Sequence, residues 1–119
     1  MNLKFYFENS YKISELITKE YSTSFSLATA LLENEKRKAI YAIYGFVRLA
    51  DEIVDSFHGY DKAFLLNDLN EQLHYALKNG ISTNPILAAF AETAKKYRID
   101  NEHIHAFMES MRCDLTKTD

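Results

Sequence analysis

Tyr21 to Asp55 reads YSTSFSLATALLENEKRKAIYAIYGFVRLADEIVD, and this stretch decides the fold. Its second half is a helix by periodicity. On a wheel of about 100° per residue, Ala39, Ile40, Ala42, Ile43, Phe46, Val47, Leu49, Ala50, Ile53, Val54 and Phe57 fill one half. Arg37, Tyr41, Tyr44, Arg48, Asp51 and Asp55 fall in a narrow stripe on the other half, each three or four residues from the last. The spacing predicts one long helix from Glu33 to about Phe57, anchored by its apolar arc and free to line a polar cleft with the stripe. The hydroxyl-rich run before it, Tyr21 to Leu32, starts poorly as a helix and then turns apolar.

Working outward, about six helices are expected. The first spans about Tyr11 to Glu20, capped by Asn9 or Ser10, with the apolar Ile13, Leu16 and Ile17 at helical spacing. HGYD, residues 58–61, ends the long helix, with Gly59 left-handed. A helix from Lys62 to Lys78 stops at Asn79-Gly80. Asn84-Pro85 starts another that runs to about Tyr97. Asp100 caps the last, which turns Ile104, Phe107, Met108 and Met111 inward. The chain ends at DLTKTD without a closing signal, which leads us to expect truncation.

The totals agree with one all-α domain over residues 1–119. Glycine (3) and proline (1) are scarce, so strand punctuation is missing. A net charge of -3 argues against a nucleic-acid partner. One cysteine, Cys113, makes no internal disulfide; a small buried hydrophobe is its expected role. The N-terminus has no h-region, and no apolar run approaches the roughly 20 residues that cross a bilayer. A cytoplasmic protein is expected, with peripheral membrane contact left open. The four histidines, 58, 74, 103 and 105, are read as solvated or rim residues.

The aspartate pair has two readings. Asp51 and Asp55 are the wet face of an amphipathic helix, with Arg48 pairing Asp51 and Glu52. Or they hold metal. Asp55 stands near the C-terminal end of its helix, where the macrodipole disfavours anions, and two tyrosines share the stripe. Mg²⁺ prefers oxygen ligands and binds through one or two carboxylates plus substrate phosphates. An arginine one turn away adds a planar donor fork for the same oxygens.

These residues, taken in order, resemble the opening of the squalene/phytoene synthase family. The carriers are Ser22, Ser24 and Phe25 (S-x-S-F); Leu31 and Leu32; the basic Lys36 to Lys38; Tyr44, Phe46 and Arg48 (Y-x-F-x-R); and Asp51 and Asp55 (D-x-x-x-D). NPILAAFAETAKKYRID and FMESMRCDLTKTD extend the likeness to Asp119. The resemblance implies the N-terminal part of an isoprenoid-synthase-type helical bundle. It implies a prenyltransferase that condenses two prenyl diphosphates, geranylgeranyl or farnesyl, head to head through a cyclopropylcarbinyl diphosphate. Phytoene is the expected product, with squalene or dehydrosqualene as alternatives. Two or three Mg²⁺ ions would serve the full enzyme, and NADPH only a squalene-type one.

By the same resemblance Asp51 and Asp55 are metal ligands and Arg48 contacts a diphosphate. Ser22, Ser24 and Tyr44 lie close to it, Phe25 faces the prenyl chains, and Asp114 approaches the cavity from the last helix. Asp114 equally fits a cap or surface charge. Two departures stand out. Tyr21 and Thr23 occupy positions where some relatives carry histidine and lysine. The family's second D-x-x-x-D is absent after Asp55, so this chain alone is expected to be inactive. The rivals are a non-catalytic helical interaction domain, and a terpene cyclase or head-to-tail elongase, which lack the S-x-S-F layout. A chain missing its cavity partner is expected to self-associate through exposed apolar surface.

Overall fold

The computed structural model describes residues 2–117; Thr118 and Asp119 of the closing stretch lie outside them. Six helices make up the described chain: α1 (Leu3–Tyr21), α2 (Thr23–Thr29), α3 (Asn34–Ser56), α4 (Lys62–Asn79), α5 (Pro85–Lys96) and α6 (Asn101–Lys117). The all-α expectation holds, as do the boundaries of α3, α4, α5 and α6 to within a residue or so.

The caps explain those boundaries. Asp61 accepts a hydrogen bond from the Phe64 amide at 3.0 Å. Asn84 accepts from the Ile86 and Leu87 amides at 3.0 and 3.3 Å, with Pro85 beside it as first helical residue. Asp100 accepts from the Glu102 amide at 2.8 Å. Gly59 and Gly80 take the left-handed conformation at φ 87° and 73°. The Asp61, Asn84 and Asp100 caps satisfy amides that the helix leaves without partners, and the Gly80 amide closes α4 on the Ala76 carbonyl at 2.7 Å.

α3 is the hub: α1, α4, α5 and α6 all pack on it. Its apolar arc meets α4, α5 and α6 in one core containing Phe46, Leu66, Leu73, Leu87, Phe90, Ile104 and Met108. Phe46 stacks on Phe90 at 4.3 Å between ring centroids and meets the edge of Phe107 at 5.5 Å. As expected, Ile104, Met108 and Met111 are buried, with Phe107 partly so.

α1 departs from expectation in start, cap and face. It begins at Leu3, and Asn2 caps it by accepting from the Phe5 amide at 2.9 Å. Its buried residues are Phe7, Ser10, Tyr11, Ser14 and Thr18, while Ile13 and Leu16 are exposed. The reason is close approach. A β-carbon on Gly45 of α3 would stand 3.1 Å from Ser14 Cβ and Oγ, so only small residues fit this crossing. The buried hydroxyls remain satisfied within the helix: Ser10 donates to the Tyr6 carbonyl, Ser14 to Ser10, and Thr18 to Ser14, at 2.9, 3.2 and 2.9 Å. At the far edge the Tyr11 hydroxyl pairs with Thr93 of α5 at 3.1 Å.

Spacing puts Tyr41 on the polar stripe of α3, while an aromatic residue there is core or cavity wall by default; it is core, at 3 % exposure, because α1 crosses α3 there. One further expectation is corrected: Cys113 is exposed. Met108 and Met111 fix the inner face of α6, and a residue two positions beyond Met111 points some 200° away from it.

Candidate functional site

Below Tyr41 the stripe of α3 stays accessible, and four elements bring side chains to it. α1 ends over it with Tyr21. α2 lays Phe25 on it. α3 supplies Tyr44, Arg48, Asp51, Glu52 and Asp55, and α6 brings Asp114.

The α1–α2 junction is set by Ser22. Its amide donates to the Thr18 carbonyl at 2.9 Å, closing α1, and its hydroxyl accepts from the Phe25 amide at 3.2 Å, opening α2. One serine thus ends one helix and caps the next. The hydroxyl signal that lowers helix propensity in the sequence becomes a hinge between helices. Phe25 stacks on Tyr44 at 5.1 Å with ring planes 27° apart, which ties α2 to α3. Ser24 lies exposed on α2.

Arg48 is the most constrained side chain of the group. Its guanidinium lies 5.1 Å from the centre of the Tyr21 ring. Its Nε stands 3.5 Å from Glu52 Oε2 and its Nη2 stands 3.9 Å from Asp55. The expected pairing with Glu52 forms; the expected one with Asp51 is replaced by Asp55. Arg48 Nε and Glu52 Oε2 are both buried without a hydrogen bond, and the ion pair between them offsets part of their desolvation. Hydrogen bonding from the Ser56 and Tyr21 hydroxyls holds the Glu52 carboxyl below its ordinary range. The same contact with Glu52 pushes the Tyr21 hydroxyl up.

The two aspartates differ. Asp55 is open to solvent, with 62 % of its side chain exposed. Asp51 is partly buried, and its carboxyl is pushed above the usual range, first by that burial and then by Asp55, Asp114 and Glu52, against the pull of Arg48. Asp114 therefore faces the same site from α6 and is itself partly buried, unlike a free surface charge. This cluster of carboxylates concentrates negative charge on hard oxygen donors, the donor set a divalent cation would neutralise. Among the described residues, no group of three histidine, cysteine or acidic side chains is arranged to hold a metal ion. Asp51 and Asp55 stand one turn apart within that cluster on α3.

The C-terminal end of α3, where Asp55 opposes the macrodipole, receives its positive charge from α4. Lys62 Nζ donates to the Val54 carbonyl at 2.7 Å and lies 3.4 Å from His58 Nδ1. This contact was not expected from sequence, because it depends on how the HGYD turn folds back. A groove of about 670 Å³ lies elsewhere, between α4 and α6, rimmed by His74 and His105.

The sequence pattern of the family described as Squalene/phytoene synthase matches residues 18–119. Phytoene synthase 1, chloroplastic, of Arabidopsis thaliana is 35% identical over 99 residues, covering 83% of this chain and 24% of that protein. The 4,4'-diapophytoene synthase of Staphylococcus haemolyticus is 28% identical over 108 residues, covering 90% and 38%. Phytoene synthase of Arthrospira platensis is 28% identical over 109 residues, covering 92% and 35%. This chain belongs to the squalene/phytoene synthase family. It spans roughly a quarter to two fifths of the length of these relatives. No helix among the described residues is long and apolar enough to cross a membrane.

Proposed function

We propose that this chain supplies the first acidic half of the active site of a phytoene synthase-like prenyltransferase. The reaction is Mg²⁺-dependent head-to-head condensation of two prenyl diphosphates. The observation that carries this reading is the convergence of Asp51, Asp55, Arg48 and Asp114 on one accessible face, within a chain of this family. Asp51 and Asp55 would hold the cations, and bound Mg²⁺ supplies charge neutralisation for the departing diphosphate. The Nη atoms of Arg48, left free of Glu52, offer their fork to the same oxygens. Phe25 and Tyr44 present aromatic faces beside this charged edge, suited to the hydrocarbon chain and to an allylic cation. The relatives named above are phytoene and diapophytoene synthases, which favours a phytoene-type product over a squalene-type one and leaves NADPH without a role.

The test is calorimetric titration with a non-hydrolysable geranylgeranyl diphosphate analogue, with and without Mg²⁺, on this chain and on Asp51→Asn. Binding that needs Mg²⁺ and disappears in the variant is expected. Binding that ignores both Mg²⁺ and the substitution would make the acid pair a solvated helix face. If this chain binds nothing, the same titration on the full gene product decides between that face and a site needing its second acidic motif.

A further inference from the structure

We infer that Tyr21 and Glu52 are positioning residues for Arg48, a two-sided clamp that fixes which edge of the guanidinium faces the acidic stripe. Three observations carry this. The guanidinium carbon of Arg48 lies over the face of the Tyr21 ring, 5.1 Å from its centre. Glu52 occupies the Nε edge at 3.5 Å, and both atoms of that contact are buried, so no ligand reaches them. The Tyr21 hydroxyl lies beside the Glu52 carboxylate, so the two jaws meet around the guanidinium. With its Nε edge taken and the Tyr21 ring against it, the guanidinium offers its Nη atoms, and Nη2 stands 3.9 Å from Asp55.

The clamp also accounts for two oddities. Tyr21 ends α1 with its side chain more than half exposed, yet its ring is placed over a cation. Arg48 lies on an accessible stripe, yet only 24 % of its side chain is exposed. An unclamped arginine has several rotamers, and ordering it on binding would cost affinity. A clamped one is already set for an anion held beside Asp51 and Asp55. Tyr21 thus acts through Arg48 and is no phosphate ligand itself: its hydroxyl is engaged with Glu52 and it carries no positive charge. The purpose of the clamp rests on the diphosphate reading above; its existence does not.

The experiment follows the NMR signal of the Arg48 Nε–H group in nitrogen-labelled protein, together with titration of inorganic pyrophosphate in the presence of Mg²⁺. In the unsubstituted chain a slowly exchanging signal displaced by the Tyr21 ring current is expected. Tyr21→Phe keeps the displacement and quickens exchange. Tyr21→Leu removes the displacement, and Glu52→Gln shifts the signal and quickens exchange. Tyr21→Leu should weaken pyrophosphate binding about two- to fivefold, the size of an exposed cation–aromatic contact. Circular dichroism melting checks that the variants remain folded. An Arg48 signal unchanged in both Tyr21→Leu and Glu52→Gln overturns the clamp. Altered signals with undiminished pyrophosphate affinity overturn its positioning role. Altered signals in a chain that binds no pyrophosphate uphold the clamp and count against the diphosphate reading instead.

Discussion

Ser14 of α1 fills the space where Gly45 of α3 has no side chain: a β-carbon there would lie 3.1 Å from both Ser14 Cβ and Oγ. About two turns further along α1 and one along α3, Tyr21 meets Arg48. Substitutions at this contact should therefore be felt in the site. Gly45→Val should destabilise the chain by about 2 kcal/mol through overpacking. Gly45→Ala should be near neutral, because better helix propensity, about 1 kcal/mol, offsets the crowding. Pairing it with Ser14→Gly should show favourable coupling of about 0.5 kcal/mol or more in a double-mutant cycle read by urea unfolding.

Asp51 should trade stability for binding. Its carboxyl is raised by burial and by neighbouring acids, so the folded chain holds that proton more tightly than the unfolded chain does. Stability linked to this group is therefore present at low pH and lost as pH rises from the ordinary aspartate range through the raised value. Asp51→Asn should stabilise the chain at neutral pH, by under about 1 kcal/mol given solvent screening. That advantage should shrink as the pH is lowered. Thermal melts of both chains from acid to neutral pH check this, and the same variant should lose Mg²⁺-dependent binding.

Arg98 follows the end of α5 in the left-handed region at φ 54°, where the next amide, Ile99, donates to the Ala94 carbonyl at 2.9 Å. A β-carbon is unfavourable in that conformation. Arg98→Gly should stabilise the chain by about 1 kcal/mol, measured by thermal or chemical unfolding, with no change in ligand titration.

The outer surface of α2 and the turn after it carry Leu27, Leu31 and Leu32, at 68 %, 88 % and 41 % exposure. Apolar side chains so exposed and so close in sequence favour association. Sedimentation over a concentration series should show a dimer or larger species, and Leu27→Ser with Leu31→Ser should shift it towards monomer. A monomer at all concentrations would count against self-association by this surface.

Asp100→Ala removes the acceptor that holds the Glu102 amide at 2.8 Å. It should cost about 1 kcal/mol of stability and fray the start of α6. Because Asp114 lies at the other end of α6, binding at the site should be little affected.

The sequence by itself determined the elements whose signals are local. Asn84-Pro85, Asp61, Asp100, Gly59 and Gly80 mark helix ends through their own backbone chemistry, and the apolar arc of α3 marks its buried side by period alone. The D-x-x-x-D pair and Arg48 were legible for the same reason: residues three and four apart on a helix share a face in any context. Tertiary structure decided what depends on a partner surface. α1 buries serines and a threonine in place of Ile13 and Leu16 because Gly45 admits a close crossing, and nothing within residues 3–21 announces that glycine. Tyr41 leaves the polar stripe for the same reason. Arg48 turns to Tyr21, Glu52 and Asp55 because burial and a neighbouring ring select among partners that spacing alone leaves equivalent.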